Sequence, residues 1–271
     1  MNHWTKAGAA ILALTVLGTM AGCGGEKASS SPAKSAPVKK ELKVVCNATY
    51  PPFAYKDEKG NITGFDVDIT RAVAKELGAE VVYEALPFDK LIPALTDNKA
   101  DIAVSAADMT KDRQEKVNFS NIYYSKESVS VLAGKDDNEI KSPEDLKGKK
   151  VAVQKGTLYV ETAKRCGAEV KEYDSHDQII KAVEDNKADA LILDKPVARF
   201  YLAHGASDKL KQAAILPGSG GFVMLLNKKD EGLQKQVNDA LDKLMKNGEY
   251  DKIHDKWFAD ENADKAPAMK K

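Results

Sequence analysis

Four short polar segments stand directly behind apolar runs in this chain: NATYPPF (47–53), SAADMTKDR (105–113), QKGT (154–157) and DKP (194–196). They hold the residues best suited to chemistry: Arg113, the carboxylates Asp108 and Asp194, the hydroxyls of Ser105 and Thr157, and the rings of Tyr50 and Phe53. Such a set suits charge-paired recognition of a small polar molecule better than covalent chemistry. His3, His176, His204 and His254 are scattered, and Cys46 and Cys166 have no metal-ligand neighbours, so no metal or cofactor is expected. No paired His or Glu marks a proton-transfer couple. Taken singly the signals are ambiguous. Tyr50, Phe53 and Phe88 suit a core as well as a ligand wall, and LDKP alone is an ordinary turn.

The elements that must position these residues read as alternating strands and helices. Strands are expected at 42–46, 81–85, 128–132, 150–153, 170–173 and 222–227, with helices at 65–77, 111–117, 157–165, 233–245 and 250–257. Thr110 is a natural N-cap for the short helix after it. Val67, Ala74 and Leu77 share an apolar stripe, and Gly78 follows as a stop. The pentapeptide DNKAD occurs at 97–101 and again at 185–189, inside an ungapped match of FDKLIPALTDNKADIAVS (88–105) with HDQIIKAVEDNKADALIL (176–193). Each copy reads as an amphipathic helix, a polar turn and a buried strand. Two copies are too few for a solenoid. The fold class that follows is α/β, two doubly wound lobes, each expected to have its own apolar core. In such sheets ligands bind beyond the carboxyl ends of the strands, where the four polar segments fall.

Composition narrows the partners. The 271 residues carry 41 Lys and Arg against 41 Asp and Glu, a formal net charge of zero, so no basic excess points to nucleic acid. Residues 7–19 form an apolar run behind a single early cation and before Met20-Ala21-Gly22-Cys23. The run is short for a membrane span, and the pattern resembles a bacterial lipoprotein signal in which the cysteine is lipidated and becomes the mature N-terminus. A signal peptide is therefore expected at 1–22, a lipidated Cys23 with a Gly-, Ser-, Pro- and Lys-rich tether through 40, and a frayed tail at 261–271. Cys46 and Cys166 read as two buried thiols.

Longer motifs now identify a family. YPPFAYKDEKGNITGFDVDITRAVAKELG (50–78), FDKLIPAL (88–95), MTKDRQEKVNFS (109–120), LKGKKVAVQKGT (146–157), ADALILDKPVA (188–198) and NGEYDKIHDKWF (247–258) resemble the polar amino-acid-binding subunits of ABC importers, family 3 of the bacterial solute-binding proteins. The resemblance implies a clamshell of the periplasmic-binding-protein type II. Lobe 1 would be 41–122 with 223–260, lobe 2 128–217, and the two-strand hinge 123–127 and 218–222. It implies that Arg113 grips the ligand α-carboxylate through two parallel charge-assisted hydrogen bonds, helped by backbone N–H groups around Ser105, Ala106 and Asp108. Asp194 would take the α-ammonium, and Gly156 and Thr157 would open a helix whose N-terminus favours an anionic group. Tyr50 and Phe88 would wall the ligand, with Phe53 partly core. Two positions depart from the family pattern. Asn47 replaces an Asp that contacts ligand amines, and Asp108 replaces a Thr beside the carboxylate, which favours a ligand with an extra positive group.

The implied function is capture of a free polar amino acid between the lobes and its delivery to an ABC importer permease. The chain would be a monomer held to the cell membrane by its lipid anchor, facing the periplasm or the extracellular side. The alternative is an enzyme on the same fold, a cyclohexadienyl dehydratase with a cleft carboxylate as general acid.

Overall fold

The computed structural model describes residues 39–218 and 220–259. The expected signal peptide, Cys23, most of the tether and the tail lie outside them. In chain order the first part contains β1 (Glu41–Cys46), β2 (Thr49–Tyr50), β3 (Ala54–Lys56), β4 (Ile62–Thr63), α1 (Phe65–Glu76), β5 (Glu80–Ala85), α2 (Leu91–Thr96), β6 (Ile102–Asp108), α3 (Lys111–Gln114), β7 (Val117–Phe119) and β8 (Tyr124–Ser125). Then follow β9 (Ser128–Gly134), β10 (Lys150–Gln154), α4 (Tyr159–Arg165), β11 (Glu169–Tyr173), α5 (His176–Glu184), β12 (Ala190–Asp194), α6 (Lys195–Ala203) and β13 (Leu210–Pro217). The chain returns with β14 (Gly221–Asn227), α7 (Glu231–Lys246) and α8 (Glu249–Phe258).

These elements make two sheets of matching design. One runs β5-β1-β6-β14-β7, with β8 on β14, and the other β11-β10-β12-β9-β13. In each, three parallel strands are followed by an antiparallel one: β14 against β6, and β9 against β12. Helices cover both faces of the inner strands, which is why β6 and β12 are buried throughout, while the edge strands β5 and β11 stay polar and partly exposed. Leu42, Val44 and Cys46 pack with α1 and α7, while Val45 turns the other way toward Leu91 and Leu95 of α2. In the second sheet Leu191 and Leu193 meet α5 and α6, and Val151, Val153 and Ile192 meet α4. The mixed α/β, two-lobe class is therefore observed.

The repeated pentapeptide does the same job in both sheets. Asn98 and Asn186 take left-handed backbone, φ 58° and 56°, which asparagine tolerates better than most residues. The amides of Lys99 and Lys187 then reach back to the carbonyls of Ala94 and Ala182, at 2.9 and 2.8 Å. Asp101 and Asp189 accept at their carboxylates from the amides of Lys43 and Lys150, at 2.9 and 2.7 Å. Their own amides donate to the carbonyls of those same two lysines, each at 2.8 Å. DNKAD is thus a helix stop, a left-handed turn and a clamp onto the neighbouring strand.

Several expectations need correction. Each lobe was expected to keep its own core, but one apolar cluster runs through both sheets. The bridge is the small β2-β3-β4 sheet, unanticipated in a segment with two prolines: Tyr55 of β3 packs against Phe200 of α6, ring centroids 5.5 Å apart. The helix expected at 111–117 keeps its Thr110 cap but stops at Gln114, because Val117 joins β7 and pairs with Asn227 of β14. The helix expected at 157–165 starts at Tyr159, because the Thr157 hydroxyl and amide both turn back onto the Gln154 carbonyl. Cys46 is buried but Cys166 is only half-buried, and both thiols are free.

Asp66, in the first turn of α1, ties this frame to the polar segments. It is fully buried and accepts from the Ala106 amide and the Tyr123 hydroxyl, each at 2.7 Å. Ala106 has φ 43°, a left-handed conformation that costs a non-glycine residue about 1–2 kcal/mol and that this bond helps to hold. Burial pushes the Asp66 carboxyl up to about 7, against the opposing pull of its two donors. Between the ordinary value of 3.8 and about 7 the folded state therefore holds the extra proton. Its contribution is fully present in acid and is lost as pH rises through that window. Chemical denaturation of the parent and of Asp66→Asn, which does not titrate, should show the parent's relative stability falling from pH 4 to pH 7. A constant difference would mean that Asp66 is not the titrating group.

Candidate functional site

The carboxyl ends of β1, β6, β10 and β12 converge on one small cavity between the two sheets. It is lined by Tyr50, Phe88, Ser105, Ala106, Asp108, Arg113, Gln154, Thr157, Tyr159, His176 and Asp194. Its volume is about 20 Å³. That is close to the minimum that holds a single water, so an amino acid enters only if the sheets part.

Arg113 is buried on the first-sheet side. Its guanidinium donates to the Asp108 carbonyl at 2.7 Å and across the cleft to the Gly156 carbonyl at 3.2 Å, and lies 5.1 Å from the centre of the Phe88 ring. Among the described residues it makes no ion pair with a carboxylate. A buried cation whose hydrogen bonds go to neutral carbonyls is suited to receive an anion. On the second-sheet side Asp194 accepts from the Tyr50 hydroxyl through Oδ2, while its Oδ1 has no hydrogen-bond partner. Burial raises the Asp194 carboxyl to about 6, with Lys126 opposing the rise and Asp108 adding to it.

Two further buried polar atoms lack a hydrogen-bond partner, the Tyr159 hydroxyl and His176 Nδ1. Both residues line the same cavity. His176 is the first residue of α5, its ring 4.3 Å from that of Tyr50, and burial drives its pKa down to about 3. The imidazole is therefore neutral at physiological pH. Buried polar groups are normally satisfied, so three unsatisfied ones around one cavity point to a polar ligand.

Of the residues singled out from the sequence, Tyr50, Phe88, Ser105, Ala106, Asp108, Arg113, Thr157 and Asp194 line this cavity. Phe53 does not. It is fully buried behind Tyr50 and packs edge-on against Phe65, Tyr124 and Phe222. Asn47 is spent on the frame: its side chain donates to the Leu86 carbonyl and accepts from Thr49 and, across the cleft, from Gln154. Gly156 contributes its carbonyl to Arg113 instead of a helix N-terminus, and the Ala106 amide is already bound to Asp66. The charge attributed to Asp108 also changes meaning. Its carboxylate ion-pairs with the buried Lys126, so it is not the uncompensated charge that the sequence suggested.

Sequence reasoning missed Lys126, Gln154, Tyr159 and His176. His176 was legible, since it occupies in the second repeat the place of Phe88 in the first. Gln154 stands in the QKGT segment itself. Nothing local marks Lys126, which reads as a solvated lysine between serine and glutamate.

Comparison with known proteins gives the same outline. Residues 42–260 match the family described as bacterial extracellular solute-binding proteins, family 3. A probable histidine-binding protein of Neisseria gonorrhoeae is 33% identical, over 98% of this chain and 99% of its own. An ancestral arginine-binding protein solved with arginine superposes with a TM-score of 0.77 at 34% identity, covering 82% of this chain and 100% of that one. An ancestral arginine-binding protein solved with glutamine gives 0.78 at 34% identity, over 82% of this chain and 99% of that one. With its two matched sheets, its cleft at their carboxyl ends and a family match spanning the folded region, this chain belongs to the family 3 bacterial extracellular solute-binding proteins.

Proposed function

We propose that the protein captures a free polar amino acid in the cleft and delivers it to the permease of an ABC importer. One observation carries the reading: a buried arginine without a carboxylate partner among the described residues faces a cleft that also holds Asp194 Oδ1, which makes no hydrogen bond and stands 3.8 Å from the Lys126 ammonium. That pair is complementary to a zwitterion, with the α-carboxylate on Arg113 and the α-ammonium on Asp194. The relatives are named for histidine and arginine, and ancestral proteins were solved with arginine or glutamine, all of them polar amino acids.

In this reading residues 41–122 with 223–260 form one lobe and 128–217 the other, hinged at 123–127 and 218–222. Support comes from how closely the two crossing segments lie. A Cβ on Gly218 would fall 2.5 Å from the Lys126 carbonyl oxygen, and one on Gly221 2.4 Å from that of Tyr124. Capture fits better than turnover. Asp108 is ion-paired with Lys126, and Asp194 faces the place of the ligand α-ammonium, roles that suit charge recognition. Thr157, Ser105, Tyr50 and Phe88 complete the walls of the site. The anchor is Cys23, which lies outside the described residues. As a monomer on a diacylated N-terminus the protein works on the outer side of the cell membrane.

Truncating one partner of a buried charge pair commonly costs 2–5 kcal/mol, because the other is left unpaired. Arg113→Ala and Asp194→Ala should therefore each weaken glutamine binding by roughly 30-fold or more in calorimetric titration. Normal affinity in Arg113→Ala, with an unchanged melting curve, would remove the carboxylate site. Cys23→Ser should move the protein from the membrane to the soluble fraction, since stable anchoring needs two lipid signals. Native protein found wholly soluble with Met1 intact would end the lipoprotein reading.

A further inference from the structure

Lys126 lies between β8 and β9, on one of the two segments that cross between the sheets, yet its side chain is turned inward. Only 3% of that side chain is exposed. Its ammonium ion-pairs with Asp108 of the first sheet and stands 3.8 Å from Asp194 Oδ1 of the second. The rings of Tyr159 and Phe222 lie on either hand, each centroid 5.5 Å from Nζ. Lysine is almost never buried unless paired, and here two carboxylates and two aromatic faces receive it.

The charges that face the cleft sum to zero: Arg113 and Lys126 are positive, Asp108 and Asp194 negative. His176 is neutral, and Asp66 stands behind Ala106 with both its oxygens engaged. A zwitterion adds one charge of each sign and occupies Arg113 and Asp194. Asp108 and Lys126 then neutralise each other, and a neutral side chain leaves the closed cleft balanced. A cationic side chain would find every carboxylate taken and a buried ammonium beside it, an arrangement that costs energy in a dry site.

Resting on the capture reading above, we infer that Lys126 makes this site select amino acids with neutral polar side chains and exclude cationic ones. The protein supplies, from its own crossing segment, the cation that a basic ligand would otherwise bring to Asp108. The Tyr159 hydroxyl, which lies by Asp194, and His176 Nδ1 make no hydrogen bond and serve the polar side chain, so a carboxamide such as that of glutamine fits the class.

The test is calorimetric titration of the parent, Lys126→Met and Lys126→Arg with glutamine, arginine and glutamate. The parent should bind glutamine at least about tenfold more tightly than arginine, the scale of one uncompensated charge in a partly screened site. Lys126→Met should reverse that order by freeing Asp108. Lys126→Arg, which keeps the charge, should retain it and so separates charge from packing. A parent that prefers arginine, or a Lys126→Met that keeps the parent's order, overturns the inference while leaving capture intact. If Lys126→Met fails to fold, the parent's own ranking of arginine against glutamine still decides. A parent that binds none of the three probes overturns the capture reading, and the inference with it.

Discussion

Arg113, Asp108, Lys126 and Asp194 are all buried where the two sheets face each other, and the cost of dehydrating four charges constrains everything around them. No single sheet could hold them. Arg113 and Asp108 come from the first, Asp194 from the second and Lys126 from the crossing segment between. Asp108 is met by Lys126 of the crossing segment, Asp194 by Tyr50 of the first part, and Arg113 reaches Gly156 across the cleft. In the proposed reading, closing the cleft and matching its charges are one event, and a ligand that unbalances the set opposes closure directly. In this way a charge rule becomes a conformational one.

The frame supplies the precision that such a set needs. Both sheets carry the same strand–helix–strand unit, and in both the DNKAD turn clamps one strand to its neighbour by reciprocal hydrogen bonds. That clamp fixes the register of β6 and β12, whose far ends carry Asp108 and Asp194. GAEV, which opens β5 and β11, recurs as well, at 78–81 and 167–170. Asp66 secures the bend at Ala106, and the aromatic cluster of Phe53, Phe65, Tyr124 and Phe222 stiffens the base of the cleft. Two rigid units joined by two crossing segments suit the proposed capture, in which the sheets part to load.

Much of this was legible in the chain because it is written locally. Apolar periodicity gave the strands and helices, the repeat gave two equivalent units, and the family motifs gave Arg113 and Asp194. The failures share a cause, which is that a polar side chain's fate is decided by distant partners. Asn47 looked like a ligand contact, but Gln154 meets it across the cleft. Asp108 looked like an uncompensated charge until Lys126, nondescript in its own stretch, proved to be buried beside it. Val117 was assigned to a helix because β14, its strand partner, lies far along the sequence.

The central claim is that loading an amino acid and closing the charged cleft are the same step. With a cavity of only about 20 Å³ the cleft is shut as it stands, so in this account an amino acid loads from a form with the sheets further apart and the cleft then closes on it. Small-angle X-ray scattering of the protein, with occupancy fixed by calorimetry on the same sample, measures that change directly. The account predicts a radius of gyration that falls as a neutral polar amino acid saturates the site. An unchanged profile at full occupancy would contradict it.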